Sequence, residues 1–434
     1  MIIKKDKLSH DEIQEAIKAY ESSNEYRRLL EYDSYYLAKN ADLKRRWNDR
    51  ERRNRTPNWY VPTAYFSTVI DTMAGYLFQN VDYDCKNETY QQQIRQVLES
   101  NDQDVKDMVS GTKALAYNRA YELIYTEGDT PMIKYTTLDP KQCIPIYDAS
   151  IEPDLFCLIW KREDYESPSH LVDVIYKDEW QFYKMSDQKF EQREEPKKLY
   201  YPYVPVVEYR AEMIGDQSPF HIVIPYISAL DWAITGNSNE VDRIVDALLL
   251  LGRSIDDEDL RHADEWKALM DIDKDEITPQ YLTKNLNPEF RKYVTDLLIN
   301  EIHKHSHVID WYNAESGGDA SAKALRTRLF DMDCYSKRIE KVFIKGVYKR
   351  IDLVAHLLGI LKGLDREPIT VVFNRTVPTD YESKMESLKG VDWYSQQTKV
   401  EMTGGNWDIE KQRLEEDTPD IDLDAYMRGA SDSE

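Results

Sequence analysis

The chain has 434 residues, 41% hydrophobic and 32% charged, which is enough to bury a core and excludes a disordered polymer. With 80 acidic residues against 57 basic ones the formal charge is -23, which excludes a tight nucleic-acid clamp, because phosphate binding draws on a basic surface. The longest apolar run, Ala247 to Leu251, is far too short to cross a bilayer, so no membrane role is expected. The N-terminal MIIKKDKLSHDE turns polar at once and shows no secretory pattern. Cys85, Cys143, Cys157 and Cys334 form no CxxC pair and are expected to be reduced, structural and mostly buried thiols.

Residues 10–55 read as helix, opened by a Ser9-x-x-Glu12 capping box with Ile13, Ile17 and Tyr20 at helical spacing. The stretch closes in the most basic segment, 39–55, with Lys44, Arg45, Arg46, Arg50, Arg52, Arg53 and Arg55. Interleaved acids make it a solvated face, with an anionic contact as the alternative. Pro57 and Pro62 interrupt the pattern. A helix from Thr63 to about Phe78 then presents Phe66, Val69, Ile70, Met73, Ala74 and Leu77 to a core. A helical pair is expected over 88–122. From about 130 to 212, short Ile-, Tyr- and Val-rich segments predict a mostly antiparallel sheet, its Tyr and Trp packing across strands.

Helix resumes after Pro225, with Leu230, Ile234, Val241, Ile244, Val245 and Leu248 on its apolar side and a kink or boundary expected at Gly236-Asn237-Ser238. A polar insert over 252–287 reads as a short strand, a helix from Asp259 to Leu269 and further short strands, its Asp256-Asp257-Glu258-Asp259 run lying at that helix's start. Pro288 launches a helix to about Tyr312, with Phe290, Val294, Leu298, Ile302 and Ile309 on one stripe. The glycine-containing stretch 313–319 breaks it. The longest periodic stretch follows, from Ser321 to Leu361, a rod of about 60 Å at about 1.5 Å per residue. A strand over 369–375, helices near 380–398 and 407–416, and an acidic tail that frays complete the chain.

Catalytic motifs are lacking. Residues 316–323 imitate a phosphate loop, but Ala322 occupies the second glycine position and Ala324 the place of the magnesium-binding hydroxyl. His303, His305 and His307 form a histidine cluster, and His303 and His307 would share a helical face, yet no HExxH pattern or third ligand accompanies them. There is no Ser nucleophile elbow. The reading is of a protein that is not an enzyme and holds neither cofactor nor metal.

The order of elements, with four stretches in particular, resembles the portal proteins of tailed bacteriophages, of the type found in siphophages of Gram-positive hosts. PTAYFSTVIDTMAGYLFQNV (62–81) looks like the early portal helix, with Gln79-Asn80-Val81 where Gly-x-Pro is usual. VIPYISALDWAITGNSNEVDRIVDALLLLGR (223–253) is similar to the segment leading through wing and stem into the clip. WYNAESGGDASAKALRTRLFDMD (311–333) resembles the family's loop and helix start, with Ser-Ala-Lys-Ala-Leu for Ser-Gly-x-Ala-Leu. ITVVFNRTVPTDYESKMESLKG (369–390) looks like its strand followed by Phe-x-Arg-x-x-Pro.

The resemblance implies a helix-rich α+β chain: wing 1–222 of helices and mostly antiparallel sheet, stem 223–251, small α/β clip 252–287, stem 288–312, tunnel loop 313–323, spine helix and returning wing strand 324–376, helical crown 377–416 and acidic tail 417–434. It implies a homo-dodecamer at one capsid vertex of the virion, assembled in the host cytoplasm, through which double-stranded DNA is packaged and ejected. Partners would be the terminase large subunit, the major capsid protein and scaffold, and a head–tail adaptor. Asn313, Glu315, Ser316, Gly317, Gly318, Asp319, Ser321 and Lys323 would line the channel. Asp256, Asp257, Glu258, Asp259, Arg261, Glu265 and Lys267 would face the motor and adaptor. Twelve copies at -23 would give about -276, a lumen to which DNA does not adhere. Two other readings stay open: an acidic helical scaffold or DNA mimic, and a metal-dependent enzyme built on the histidine cluster.

Overall fold

Ser9 opens the first helix as its capping box predicts: the Glu12 carboxylate accepts from the Ser9 N–H at 2.8 Å and the Ser9 hydroxyl from the Glu12 N–H at 3.4 Å. The computed structural model describes residues 2–3, 7–52, 58–127, 132–186, 189–245, 249–251, 268–270, 280–281, 288–310, 322–364, 366–375, 395–402, 407 and 411. The chain divides into two units, 1–316 with 328–376, and 317–327 with 377–434. No helix among the described residues is long and apolar enough to cross a membrane.

The first unit mixes helix with mostly antiparallel sheet. Strand β1 (Ile2–Ile3) precedes α1 (His10–Glu21), α2 (Asn24–Tyr36) and α3 (Ala41–Arg52), so the expected continuous helix over 10–55 is three. Ser23 makes the first break, its hydroxyl capping Tyr26 N–H at 3.1 Å. Helix α4 (Tyr65–Phe78) buries all six residues expected of it. Strand β2 (Asn80–Cys85) then appears where no strand was expected. After α5 (Glu88–Glu99) and α6 (Gln103–Tyr117) comes β3 (Ala120–Glu127), which overturns the helical reading to 122. The left-handed Asn118 (φ 58°) ends α6, and its amide oxygen accepts from Ala211 and Glu212 N–H at 3.1 and 2.8 Å.

The sheets then build in layers. Strands β4 (Met132–Leu138), β5 (Cys143–Asp148), β6 (Leu155–Glu163), β7 (His170–Ile175), β8 (Glu179–Met185), β9 (Phe190–Lys198) and β10 (Val206–Tyr209) make a six-stranded sheet, β1-β5-β6-β7-β8-β9, and a three-stranded one, β10-β3-β4. In these two sheets all ladders are antiparallel except β1 with β5. Period-two alternation sorts the two faces. Ile144, Ile146, Cys157, Ile159, Val172 and Val174 pack under Ile13 and Ile17 of α1. Their neighbours Cys143, Leu158 and Ile175 pack against Tyr121, Leu123 and Val206 of the smaller sheet. Cross-strand rings behave as expected, Tyr183 stacking on Phe190 at 4.8 Å.

Beyond the smaller sheet lies the longest helix, counted below as α9 (Ala322–Lys362, 41 residues), reached through α7 (Ile224–Val245), β11 (Leu249–Leu251), β12 (Ala268–Met270), β13 (Gln280–Tyr281) and α8 (Pro288–Ser306). Leu329, Met332, Ile339, Phe343, Val347, Ile351, Val354 and Leu358 are buried, as the periodicity predicts, but Leu361, the last residue of the expected stripe, is exposed in the final turn. Strand β14 (Ile369–Asn374) returns to pair with β2. Two glycines set the packing distance. A Cβ on Gly346 would lie 2.4 Å from the Tyr209 ring, and one on Gly111 would lie 2.2 Å from Phe78. Into that space fits an aromatic cluster in which Phe343 meets Phe78, Tyr209 and Phe373 at 4.5, 4.7 and 6.3 Å.

One cation sits in this core. Arg350 is fully buried on α9 and reaches Asp107 on α6 at 2.8 Å, Glu122 on β3 at 3.4 Å and the Tyr83 hydroxyl on β2. Tyr83 donates to Asp107 at 2.7 Å, and Tyr209 to Glu122 at 3.1 Å. Two carboxylates face one guanidinium, and burial raises the Glu122 pKa against the opposing pull of Arg350.

In the second unit, α10 (Gln396–Met402) overlaps the end of the helix expected over 380–398; Ser395 just precedes it without being helical, and residues 380–394 lie outside the described residues. Of the helix expected over 407–416, residues 407 and 411 are described as helical.

The expected thiol pattern needs one correction. Cys85, Cys143 and Cys157 are buried, but Cys334 is exposed, because it falls on the solvent side of α9 two residues from the buried Met332. A thiol reagent should therefore label one cysteine rapidly in the native state and the other three only on unfolding, as read by intact-protein mass. Glu122 carries a pH signature. A folded pKa above the ordinary value means its contribution is full below the unfolded pKa and is lost as pH rises through the folded one. The melting temperature of Glu122→Gln, relative to the parent, should thus climb from pH 4.5 towards neutrality; a flat difference would contradict the assignment.

Candidate channel and docking segments

The helix α7, which leads towards the polar insert, is anchored by a ladder of polar side chains. Asp231, Thr235 and Asn239 recur every fourth residue and are buried. Opposite them runs the extended segment 58–63. Asp231 accepts from the Thr63 N–H and hydroxyl at 2.7 and 2.6 Å, Thr235 from the Val61 N–H at 3.3 Å, and Asn239 from the Trp59 N–H at 2.9 Å. Four residues of helix rise about 6 Å and two of extended chain about 6.6 Å, so the two repeats stay in step. Asn40 donates to the second Asp231 oxygen at 2.7 Å. Burial outweighs these bonds and raises the Asp231 pKa.

This ladder also explains why α7 runs through Gly236-Asn237-Ser238 without the expected boundary: Thr235 and Asn239, on either side of the interruption, are both held. It brings the basic α3 beside α7. The Arg46 guanidinium lies 3.7 Å over the Trp232 ring, and the Lys44 ammonium lies between Trp47 and Tyr60 at 3.9 and 4.9 Å. Lys44, Arg45 and Arg46 are exposed, in keeping with a solvated face.

Residues 249–251, expected to end the stem helix 223–251, are strand instead: β11 pairs with β12 in parallel and with β13 antiparallel, giving the order β12-β11-β13. Residues 268–270 are strand, which overturns the end of the expected helix Asp259–Leu269: Leu269 completes a ladder beside Leu250. The candidate docking residues Asp256, Asp257, Glu258, Asp259, Arg261, Glu265 and Lys267 lie outside the described residues.

Helix α8 stops at Ser306, short of the expected Tyr312. His307 is left-handed (φ 58°), Val308 turns inward and is buried, and Ile309 no longer belongs to a helical stripe. This removes the shared face expected of His303 and His307. His303 Nδ1 meets Val308 O at 3.0 Å, His305 meets Glu301 at 3.0 Å, and His307 meets Asp331 at 2.9 Å while stacking on Tyr335. The three rings are turned to separate partners, and no metal-binding group of three or more His, Cys, Asp or Glu occurs among the described residues. Phe290 is also displaced from the expected buried stripe and is exposed.

Of the candidate channel residues, Asn313, Glu315, Ser316, Gly317, Gly318, Asp319 and Ser321 lie outside the described residues, and Lys323 falls in the first turn of α9. The Phe-x-Arg element at the strand end has a structural role. Phe373 joins the aromatic cluster, and Arg375 pairs with Asp333 at 3.5 Å and Glu340 at 2.5 Å on α9. Sequence reasoning missed the Asp231-Thr235-Asn239 ladder, although polar residues at spacing four beside the apolar Leu230 and Ile234 are a readable signal. Asp231→Ala would leave buried donors unpaired and should lower the unfolding free energy by about 3 kcal/mol in urea titrations. Trp59→Phe, which keeps the backbone donor to Asn239, should cost much less.

A search of curated proteins finds no match to this chain. Solved structures do contain similar chains. The neck of an empty GTA particle computed with C6 symmetry holds a chain 11% identical, covering 79% of this chain and 90% of that one at a TM-score of 0.44. The neck of the native GTA particle computed with C12 symmetry gives 11% identity, 79% and 90% coverage and a TM-score of 0.42. The virion of a native gene transfer agent (GTA) particle gives 10%, 89% and 94%, and 0.43. The family comparison decides the matter. The phage portal protein profile described as SPP1 Gp6-like matches residues 15–421, nearly the whole length, and the chain belongs to that family.

Proposed function

We propose that this portal-family chain forms a closed ring of twelve at a capsid vertex and conducts double-stranded DNA during packaging and ejection. The observation that carries the reading is the family match over residues 15–421. The order of elements supports it: a layered helix-and-sheet body, then α7 and α8 packed as a pair and joined through a small three-stranded sheet, then the long α9. In this reading 1–222 is the wing, 223–251 and 288–312 the stem, 252–287 the clip, 313–323 the tunnel loop, 324–376 the spine and returning strand, 377–416 the crown and 417–434 an acidic tail.

The role is that of a conduit, with no catalysis of its own. A separate ATPase, the terminase large subunit, supplies the work and docks on the clip through the 256–259 acidic run. A head–tail adaptor takes the same surface later. The major capsid protein and scaffold surround the wing, placing the protein in the virion after assembly in the host cytoplasm. The charge of -23 per copy keeps the lumen non-adhesive, so that DNA slides without resting in potential wells. Lys323, at the start of α9, supplies a transient phosphate contact, and Gly317 and Gly318 let the loop yield as the duplex passes.

Native mass measurement of the purified assembly tests the ring directly, with twelve copies expected. Gly317→Val with Gly318→Val tests the loop: rings and thermal stability should be normal while DNA filling falls. Packaging at the parental rate would remove the loop from the mechanism and leave the ring.

A further inference from the structure

Strands β4 and β2 each have a neighbour on one side only, and the chain treats their open edges differently. The edge of β4 is sealed. The Asn101 amide donates to Ile133 O at 3.0 Å and accepts from the Tyr135 N–H at 3.1 Å, two bonds of the kind a next strand would make. Lys106 donates to Tyr135 O, and Lys113 to Leu138 O at 2.9 Å. Side chains of α6 and of the turn before it thus stand in for the missing neighbour.

Strand β2 receives no such cover. Its backbone pairs with β14, and among the described residues no hydrogen bond from outside that ladder reaches the backbone of 80–85. Half of its N–H and C=O groups face away from β14, as in any antiparallel pair. A groove of about 490 Å³ lies beside Val81, Asp82 and Tyr83, walled by Leu98 of α5 and Val105 of α6. Side chains of consecutive strand residues point to opposite faces, so a groove that all three line lies at the strand's edge. No residue of β14 lines it, which makes it the open edge.

Polarity and charge identify the occupant. Unpaired strand groups call for an extended backbone, and Leu98 with the 63% exposed Val105 calls for apolar side chains at alternate positions. Asp82, Glu99, Asp102 and Asp104 line the groove against one cation, Arg95, a local surplus of negative charge. Among the described residues the Glu99 and Asp104 carboxylates have no hydrogen-bond or ion-pair partner. They are left to meet ammonium or guanidinium groups brought from outside.

We propose that the open edge of β2 takes an extended, lysine- or arginine-rich segment of another protein as an added strand. Its alternate apolar side chains rest on Leu98 and Val105, and its cations lie beside the carboxylates of the groove. The proposal does not rest on closure of the copies into a ring.

The probe is the peptide Ac-GKVKVKG-NH2, added to the full chain. It should bind and slow hydrogen exchange across 80–85 about tenfold, read by mass spectrometry. The same peptide N-methylated along its backbone, which keeps the charge but cannot pair with a strand, should not bind. Glu99→Lys with Asp104→Asn should weaken binding about tenfold. The same change of charge on β9, Glu195→Lys with Glu191→Gln, should leave binding unaltered. All four side chains are exposed, so the fold is not at stake. Equal binding of the methylated peptide, or equal loss from both pairs of substitutions, would reduce the effect to general attraction by a chain of charge -23 and overturn the site. Binding without protection of 80–85 would place the peptide elsewhere, and no binding at millimolar peptide would leave the edge without an occupant; either overturns the proposal.

Discussion

The buried guanidinium of Arg350 constrains the first unit more than any other group. It is reached from α6, β2 and β3, and it projects from the middle of α9. A lone charge in such an interior would cost several kcal/mol, so every element around it is obliged to present an acceptor. Asp107, Glu122 and the Tyr83 hydroxyl do so, and Tyr209 in turn satisfies Glu122. A well-packed apolar residue could stabilise the fold equally; what the cluster adds is uniqueness of register, since a slide of α9 by one turn would carry the cation away from its acceptors.

Packing on either side of Arg350 reinforces that register. Gly346 admits the Tyr209 ring one turn before it, and Phe343 stacks on the same ring two turns before it. Further back, Asp333 and Glu340 take Arg375 from the end of β14. The long helix is thus pinned along its length by an ion cluster, a glycine–aromatic contact and a surface-proximal ion pair.

The α7 ladder solves a different problem. Helix α7 buries Ile224, Ile227 and Leu230 in its first turns, and further along it is held by polar side chains instead. Asp231, Thr235 and Asn239 attach it through backbone N–H groups of an extended segment, which are donors whatever the side chains there. The same segment follows the basic α3, so the positive patch and α7 are placed together by hydrogen bonds rather than by charge.

Periodicity determined a good deal of this protein. The 3.6-residue repeat gave the buried face of α4 and the stripe of α9 from Leu329 to Leu358, and short Ile-, Tyr- and Val-rich segments between turns gave the mostly antiparallel sheet, because local composition and spacing decide which side chains share a face. Motif order gave the family, to which each short stretch contributes little singly. The sequence alone did not show β2 and β3: β2 pairs with β14, nearly 300 residues away, and β3, though it forms a hairpin with β4, is fixed on its other edge by the distant β10. Nor could it separate Arg350 from the other cations of a helix rich in them, since burial depends on what four other elements bring to that point. The histidines illustrate the same limit. Their spacing promised a shared face, and one left-handed residue, His307, turned them to separate partners. Local spacing sets which residues can meet; the ending of a helix and the arrival of distant strands decide which of them do.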